Sequence, residues 1–334
     1  MSFSQIIYNT FGIPATADRY FVVQSEEKLR QLLLSGQVTM PHFVLGGGSN
    51  VVFSKHFQGT IIHMENKGIR LLDETCSADE VLVEAAAGES WDGFVRHCIC
   101  QGWHGVENLV AIPGTVGAAP VQNVGAYGVE AKDIVYCVRA LEVATGKERV
   151  FSHEECRFAY RSSVFKEELK DRYVIVSVVF RLGKKFLPDM RYKALADALL
   201  RAGIEKPTAS QLADVVTQLR WSKLPRPEEV GSAGSFFKNP VVGAGQYEEL
   251  KDAYPDIVSY PLTEGYKLAA GWLIEQAGWK GRSLGRCGVY EKQALVLVNR
   301  GGCTGTEVID LANAITESVQ RQFGVVLEKE VIII

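Results

Sequence analysis

The sequence lacks the features that would place the protein in a membrane or on nucleic acid. No stretch of the 334 residues approaches the roughly 20 apolar residues of a membrane-spanning helix. The N-terminal segment, Met1 to Thr10, has neither a basic region nor a continuous apolar run, so we expect no signal peptide. A net charge of −3 offers no positive field for nucleic acid or an anionic membrane surface. We therefore expect a cytoplasmic protein whose partners are small molecules.

Cysteine is present, but without the spacing that a metal or a disulfide framework requires. The seven cysteines form no CxxC pair, and they are Cys76, Cys98, Cys100, Cys137, Cys156, Cys287 and Cys303. The odd number and the spacing argue against a disulfide framework and a zinc ribbon, and suit a reducing compartment. Each cysteine is accordingly expected to be a small buried apolar residue, and no metal site is predicted.

The order of the predicted elements indicates an α+β protein of two or three domains. Strands are predicted over residues 19–23, 42–45, 59–64, 81–86, 134–143, 173–181 and 294–298. Helices are predicted between Ser25 and Gly36 and over residues 90–101, 193–202, 210–221, 268–277 and 307–323. The turn-rich segment 223–231 predicts a domain boundary.

A first glycine-rich loop, GGGSN, directly follows the strand predicted over residues 42–45. Its main-chain N–H groups carry no side chains that would obstruct a pyrophosphate. The loop is neither a GxxxxGK[ST] phosphate loop nor a GxGxxG turn at the start of a helix. Alone it is a weak signal, since many such turns are structural.

A second glycine-rich segment covers residues 109–128, LVAIPGTVGAAPVQNVGAYG. Its glycines and prolines exclude a regular helix or a central strand, and it is too apolar for a solvated linker. We expect a long ordered loop, and such loops are usually functional. Two glycine-rich segments predict two main-chain approaches to one extended ligand, such as the dinucleotide FAD.

The order of the motifs along the chain resembles a known family. Seven segments occur in sequence, namely LGGGSNVVFS, IPGTVGAAPVQNVGAYGVE, YRSSVFK, GSFFKNP, AAGWLIEQAG, QALVLVN and LEKEV. Together they resemble the UDP-N-acetylenolpyruvoylglucosamine reductases, also called UDP-N-acetylmuramate dehydrogenases, from about Thr10 to Val331. The resemblance implies three domains, which we place at residues 1–70, 71–224 and 225–334. The first two would form a FAD-binding module of the vanillyl-alcohol-oxidase type, and the third would bind substrate.

The resemblance also implies a reaction in two halves. NADPH would reduce FAD, and flavin N5 would then pass hydride to the enolpyruvyl double bond of UDP-N-acetylglucosamine enolpyruvate, a step in peptidoglycan synthesis. NADPH rather than NADH follows from the resemblance alone. The implied FAD-binding residues are Gly46, Gly47, Gly48, Ser49, Asn50, Ile112, Pro113, Gly114, Gly117, Ala118, Ala119, Gln122 and Gly125.

Three catalytic residues are implied by the matching motifs. Arg161 in YRSSVFK would stabilise negative charge on the substrate carboxylate, because a guanidinium binds a carboxylate with two parallel N–H groups. Ser235 in GSFFKNP would protonate the neighbouring carbon. Glu330 in LEKEV would orient the substrate, although Lys329 replaces a usual proline there and Glu328 is the alternative. Fraying of a chain end at Ile334 would weaken that assignment.

The remaining implied residues bind the UDP-sugar, and they are Tyr160, Tyr192, Lys223, Asn239 and Gln293. Lys223 would contact phosphate, and Tyr192 would lie on a loop that covers the nucleotide. The five tryptophans are interpreted as core residues.

Two other functions remain open from the sequence. One is a flavoprotein oxidase of the same fold, which the joint presence of Arg161, Ser235 and the C-terminal motifs disfavours. The other is a flavin-binding relative without catalysis, favoured only by the altered LEKEV segment. A monomer is expected.

Overall fold

The computed structural model describes residues 6–72 and 78–334, so Cys76 lies outside the described residues. The strands are β1 (Ala17–Val23), β2 (His42–Leu45), β3 (Val51–Val52), β4 (Phe57–Met64), β5 (Ile69–Leu71), β6 (Glu80–Ala86), β7 (Gly125–Ala126), β8 (Val129–Glu130), β9 (Val135–Glu142), β10 (Glu148–Ser152), β11 (Tyr173–Gly183), β12 (Ser232–Ser235), β13 (Val241–Val242), β14 (Ser259–Pro261), β15 (Tyr266–Leu268), β16 (Ser283–Leu284), β17 (Cys287–Val289), β18 (Val296–Asn299) and β19 (Ile332–Ile333). The helices are α1 (Glu26–Leu34), α2 (Trp91–Gln101), α3 (Lys193–Arg201), α4 (Ala209–Lys223), α5 (Ala244–Ala253), α6 (Ala270–Gln276) and α7 (Gly305–Phe323). Within the described ranges, no helix has both the length and the apolar character to cross a membrane.

These elements form two compact units, each built from separate segments of the chain. The large unit comprises Ala17–Gly47 and Gln58–Arg220. The C-terminal unit comprises Gly48–Phe57, Trp221–Ile334 and the described residues before Ala17. The mixed α+β class is confirmed. The division at residues 70/71 and 224/225 stays a prediction.

The large unit contains two principal sheets. The first has the order β1-β4-β2, with β2 and β4 parallel, and the second is an antiparallel sheet of order β10-β9-β11-β6-β5. Strand β11 is buried along most of its length, as its β-branched sequence predicts, because it pairs with strands on both sides. Helix α2 places Trp91 and Phe94 in the core, and the Phe94 and Phe180 rings lie 4.5 Å apart. The core interpretation of Trp91 is confirmed.

Helix ends in the large unit follow the local signals of the sequence. The Ser25 hydroxyl accepts a hydrogen bond from the Lys28 N–H at 3.2 Å, and the Ser90 hydroxyl accepts one from Gly93 at 3.3 Å. Gly102 ends α2 in the left-handed conformation, with φ of 72°. These residues satisfy main-chain groups that the helix itself leaves without partners.

The C-terminal unit is built around an antiparallel sheet of order β12-β18-β17-β16, against which α7 packs its apolar face. Thr304 and Glu307 form a capping box at the start of α7. The end of the chain is paired as well, because β19 lies parallel to β3, with Ile332 opposite Val51. The segment that carries Glu330 is therefore tied into the fold.

The structure corrects the expectation for two cysteines, since Cys287 and Cys303 are joined by a disulfide. Cys287 begins β17 and lies opposite Asn299, the last residue of the antiparallel strand β18. Cys303 follows in the turn after β18, and the two cysteine Cα atoms lie 5.5 Å apart. This distance suits a disulfide. The two cysteines are brought together by the register of β17 and β18, so their spacing of 16 residues in the sequence did not indicate a disulfide.

The disulfide predicts a thiol count. Protein purified without reductant and then denatured should expose two fewer reactive thiols than the reduced protein, because Cys287 and Cys303 are paired. The same protein should expose all seven after reduction. The measurement is a colorimetric thiol titration, with a reduced sample as the control. Seven thiols in the unreduced sample would contradict the assignment.

Candidate functional site

The two glycine-rich segments meet in the large unit. Strand β2 ends at Leu45, and Gly46 and Gly47 continue from it toward Gly114 and Thr115. A Cβ atom at Gly47 would lie 3.2 Å from the Gly114 Cα atom, and one at Gly46 would lie 2.3 Å from the Thr115 hydroxyl oxygen. The close approach of the two main chains therefore requires residues without side chains.

The segment after Gly114 is held by main-chain hydrogen bonds to the turn that precedes α2. The Gly114 carbonyl accepts from the Trp91 N–H at 3.1 Å, and the Gly117 N–H donates to the Ala87 carbonyl at 2.8 Å. A Cβ atom at Gly117 would lie 2.6 Å from the Ala87 Cβ atom. The loop is thus ordered, as the sequence predicts. Pro113 and Ala118 are exposed, whereas Ala119 is buried.

This cradle fits the pyrophosphate of a dinucleotide. A side chain at Gly46, Gly47 or Gly117 would meet the Thr115 side chain, the Gly114 main chain or Ala87, respectively, and would force the segments apart. Anions bind readily to successive main-chain N–H groups. Of the predicted cofactor residues, the structure brings together Gly46, Gly47, Gly114 and Gly117.

Three predicted cofactor residues, Gly48, Ser49 and Asn50, belong to the C-terminal unit. Gly48 has φ of 62°, and a Cβ atom there would lie 2.8 Å from the Tyr8 carbonyl oxygen. The Asn50 carbonyl accepts a hydrogen bond from the Ile332 N–H at 3.1 Å. Their contact with a cofactor stays a prediction, as it does for Ile112, Gln122 and Gly125.

Substitution of Gly47 tests the cradle. Gly47→Val is expected to lower the amount of flavin that copurifies with the protein at least about tenfold, because the new methyl groups would push the two loops apart. The measurement is the ratio of flavin absorbance to protein concentration. Gly245→Val in α5 is the control, since no atom lies within 4 Å of its Cβ position. Normal flavin content in Gly47→Val would show that FAD does not bind where the two glycine-rich segments meet.

Arg161 lies at the tip of a tight turn in the large unit. Ala159 and Ser162 exchange main-chain hydrogen bonds of 3.0 and 3.1 Å, and Arg161 between them has φ of 54°. Its guanidinium donates to the Gly125 carbonyl at 3.1 Å and to the Asn123 carbonyl at 3.4 Å. Carbonyl partners orient the guanidinium without cancelling its charge. The predicted catalytic arginine is therefore fixed to the glycine-rich segment, and its carbon Cζ lies 5.4 Å from the centre of the Tyr160 ring.

Tyr192 packs edge-on against a second tyrosine, Tyr127, with ring centres 5.3 Å apart. The buried Asn108 joins the second glycine-rich segment to the loop before Tyr192. Its side-chain amide donates to the carbonyls of Tyr127 at 2.9 Å and Asp189 at 3.0 Å. Burial raises the pKa of Tyr127, so its hydroxyl stays protonated at neutral pH.

Arg220 is a further basic residue of the large unit, which the sequence reasoning did not single out. Its Nε donates to the Ala111 carbonyl at 3.1 Å, and its charge interacts with those of Asp92 and Arg161. Burial lowers the pKa of Arg220, and the positive charge of Arg161 lowers it further. Two neighbouring guanidinium groups suit an anionic ligand. The only sequence signal was its position three residues before Lys223 on α4.

Ser235 and Glu330 lie on neighbouring segments of the C-terminal unit. Ser235 ends β12 opposite Val296 of β18. The next residue, Phe236, accepts a hydrogen bond at its carbonyl from the Glu330 N–H at 2.8 Å. The structure thus brings together a predicted proton donor and a predicted catalytic carboxylate that are far apart in the sequence.

The alternative carboxylate, Glu328, has another partner. It forms an ion pair with Lys238, and its side chain is 70% exposed. The choice of Glu330 over Glu328 and its catalytic role both stay predictions.

The other substrate residues predicted in the C-terminal unit occupy three places. Asn239 accepts a hydrogen bond from the Ala270 N–H at 3.0 Å, at the start of α6. Gln293 lies before β18 and accepts one from the Leu295 N–H at 3.3 Å. Lys223 is exposed at the end of α4. Their contacts with substrate stay predictions.

One group of possible metal ligands occurs among the described residues, formed by Cys287, Cys303 and Glu307. The two sulfur atoms are bonded to each other. The Glu307 carboxylate accepts hydrogen bonds from Thr304 and Arg286, which hold its pKa low, at about 2. These atoms already have partners, and we assign them a structural role.

Comparison with known proteins gives two family matches, one over the region that contains both glycine-rich segments and one over the C-terminal region. Residues 17–152 match the FAD binding domain, and residues 226–334 match the C-terminal domain of UDP-N-acetylenolpyruvoylglucosamine reductase. The predicted FAD-binding module is thereby confirmed.

Named relatives match over nearly the whole chain. The UDP-N-acetylenolpyruvoylglucosamine reductase of Azoarcus sp. (strain BH72) is 49% identical over 96% of this chain and 94% of its own. That of Pseudomonas aeruginosa is 47% identical over 97% and 95%. The crystal structure of the Thermus caldophilus reductase has the same fold, with a TM-score of 0.64 at 23% identity and 99% coverage of both chains. The chain therefore belongs to the UDP-N-acetylenolpyruvoylglucosamine reductase family.

Proposed function

We propose that this chain uses NADPH and FAD to reduce UDP-N-acetylglucosamine enolpyruvate to UDP-N-acetylmuramate, a step in building peptidoglycan precursors. The observation that carries the proposal is its 49% identity to a named reductase over 96% of the chain. The meeting of the two glycine-rich segments supports it, because glycine main-chain N–H groups, which no side chain of their own obstructs, suit a pyrophosphate.

Gly46, Gly47, Gly114 and Gly117 would hold the FAD pyrophosphate, and the other predicted cofactor residues would line the rest of the cofactor. When bound, FAD supplies the hydride chemistry, taking hydride from NADPH and delivering it to the terminal carbon of the enolpyruvyl double bond. The protein must then stabilise the charge that develops on the substrate and supply a proton.

We assign charge stabilisation to Arg161. Negative charge grows toward the substrate carboxylate during the reduction, and a guanidinium binds a carboxylate with two parallel N–H groups. The carbonyls of Asn123 and Gly125 hold this side chain in one orientation, which lowers the reorganisation needed during the reaction. Arg220 would add a second positive charge for the same anion.

We assign protonation of the adjacent carbon to Ser235. A hydroxyl is a weak acid, so it needs a polarising environment. Lys238 is engaged by Glu328, and the Asn239 side-chain oxygen accepts from Ala270. The N–H of Glu330 donates to the carbonyl of Phe236, the residue after Ser235, and we assign to the Glu330 carboxylate the orientation of the enol form of the substrate.

We assign binding of the UDP-sugar to Tyr160, Tyr192, Lys223, Asn239 and Gln293. Lys223 would contact phosphate, and its exposure leaves the ammonium group accessible. Tyr192 would cover the nucleotide, supported in its position by Tyr127.

We further propose a monomer in the cytoplasm that has no nucleic-acid or membrane partner. NADPH and UDP-sugars are cytoplasmic metabolites, and the net charge of −3 gives no attraction to nucleic acid.

The test is an isotope experiment on the product. With NADPH deuterated at the transferred position and ordinary water, any deuterium in the product should be confined to the terminal carbon, because the N–H of reduced flavin exchanges part of it with water. With ordinary NADPH in deuterium oxide, deuterium should appear on the adjacent carbon. Oxidation of NADPH that consumes oxygen and leaves the UDP-sugar unchanged would instead indicate an oxidase. Flavin content without NADPH oxidation would indicate a non-catalytic relative.

A further inference from the structure

Asn123 lies in the second glycine-rich segment and is completely buried. Its main chain has φ of 46°, in the left-handed region that asparagine adopts more readily than most residues. Its carbonyl accepts a hydrogen bond from the Arg161 guanidinium at 3.4 Å. Asn123 therefore contacts the predicted catalytic arginine through its main chain.

The side chain of Asn123 joins this part of the segment to two other places in the large unit. Nδ2 donates to the Ala159 carbonyl at 3.0 Å and to the Glu130 carboxylate at 2.9 Å, and Oδ1 accepts from the Lys132 N–H at 2.9 Å. A main-chain N–H only donates and a carbonyl only accepts, so these contacts fix which end of the amide is nitrogen. Both amide N–H groups are used, and a buried amide bonded in this way holds one orientation.

These contacts bear on both ends of the arginine side chain. Ala159 begins the tight turn that has Arg161 at its tip. Glu130 lies opposite Gly125 in the hairpin formed by β7 and β8, and the Gly125 carbonyl is the second acceptor of the guanidinium. The Asn123 amide therefore ties the main chain that carries the arginine to the hairpin that its guanidinium contacts.

We infer that Asn123 is a positioning residue that fixes Arg161 for the negative charge that develops on the substrate. The inference rests on the role proposed above for Arg161 in reducing the UDP-sugar. An arginine side chain rotates about several bonds, and it stabilises developing charge best when its position is set before the reaction. The Asn123 side chain supplies this restriction from within the glycine-rich segment, and it acts through the arginine.

Asn123→Asp tests the inference, because an ionised carboxylate has the same shape as the amide but cannot donate to Ala159 or Glu130. Reduction of the UDP-sugar in a single turnover should slow roughly 10- to 100-fold, as expected when a charge-stabilising group is displaced. Reduction of the bound flavin by NADPH should stay within about twofold, since no charge develops on the UDP-sugar in that step.

A double-variant cycle with Arg161→Met separates positioning from general damage. Arg161→Met removes the guanidinium, so adding Asn123→Asp to it should slow the reduction by less than about twofold further. If Asn123 acted independently of Arg161, Asn123→Asp would show its full effect in both backgrounds.

A second variant keeps the test usable if Asn123→Asp folds poorly. With Glu130→Gln added, the new amide can donate to the new carboxylate, which restores that contact in the reverse direction and leaves the total charge unchanged. The Ala159 carbonyl still loses its donor, so thermal stability should recover while reduction of the UDP-sugar remains slow.

The matched control, Ser177→Ala, removes another buried hydrogen bond of the large unit, from the Ser177 hydroxyl to the Glu84 carboxylate at 2.6 Å. It should leave both half-reactions unchanged. Near-normal reduction of the UDP-sugar by Asn123→Asp, equal slowing of both half-reactions, or a full effect in the Arg161→Met background would overturn the inference. Normal reduction by Arg161→Met would remove Arg161 from the mechanism and the inference with it. Failure of the unaltered protein to reduce the UDP-sugar would instead contradict the proposed function.

Discussion

Ser235→Ala is expected to slow reduction of the UDP-sugar roughly 10²- to 10⁴-fold, the usual contribution of a positioned proton donor. Oxidation of NADPH in the first half-reaction should remain within about twofold, because no proton is delivered to substrate carbon in that step. Ser235 ends β12, and its main chain stays paired with β18 in the variant. The loss should therefore reflect the missing hydroxyl and leave the fold intact.

The two half-reactions are separated by rapid mixing without oxygen, first with NADPH and then with the UDP-sugar. Ser232→Ala is the matched control, because Ser232 lies on the same strand, paired with Val298. It should leave both rates near normal. Equal slowing of both half-reactions in Ser235→Ala would make Ser235 a structural residue.

Arg161→Lys is expected to slow the same reduction roughly 10²- to 10³-fold, comparable to the loss of one group that stabilises an oxyanion. A lysine keeps the charge but cannot present two parallel N–H groups to a carboxylate. Its freely rotating ammonium group also lacks the planar arrangement of donors by which the carbonyls of Asn123 and Gly125 orient the guanidinium. The variant should therefore lose both the geometry and the orientation of the charge.

The measurement is again the rate of substrate reduction in a single turnover. Arg149→Lys serves as the matched control, since Arg149 belongs to the same unit and forms an exposed ion pair with Glu155. Exposed ion pairs contribute little to stability, so this variant should behave normally. Near-normal reduction by Arg161→Lys would remove Arg161 from the proposed mechanism.

The sequence predicts best those features that depend on a few adjacent residues. Ser25, Ser90 and Gly102 mark helix ends correctly because capping is a local interaction. The strand β2 is predicted with both ends correct, because an apolar run stops at a glycine. The glycine-rich loops are likewise visible, since only glycine tolerates the close approach that the structure shows.

Features that depend on distant segments were not predicted. The parallel pairing of β19 with β3 joins residues about 280 positions apart, and two-residue strands carry no periodicity. The Cys287–Cys303 disulfide depends on a strand register. Arg220 was missed because a charged residue on a helix is usually solvated, whereas here its Nε donates to the Ala111 carbonyl, more than 100 residues away in the sequence.

The candidate site shows the same limit. Sequence motifs identify Ser235 and Glu330 separately, but their proximity follows from the hydrogen bond between Glu330 and Phe236. The motif favours Glu330 over Glu328 through the family resemblance alone, since both are glutamates in one short segment. The ion pair of Glu328 with Lys238 joins two segments of the C-terminal unit that are far apart in the sequence, so no local pattern predicted it.

The most direct test of the account is the absorbance of the purified protein near 450 nm, followed without oxygen in a stopped-flow instrument. NADPH should bleach the absorbance, and UDP-N-acetylglucosamine enolpyruvate should then restore it with formation of UDP-N-acetylmuramate. Bleaching that the UDP-sugar does not reverse would contradict the proposed function. A protein without flavin absorbance that fails to bind added FAD would contradict the cofactor site as well.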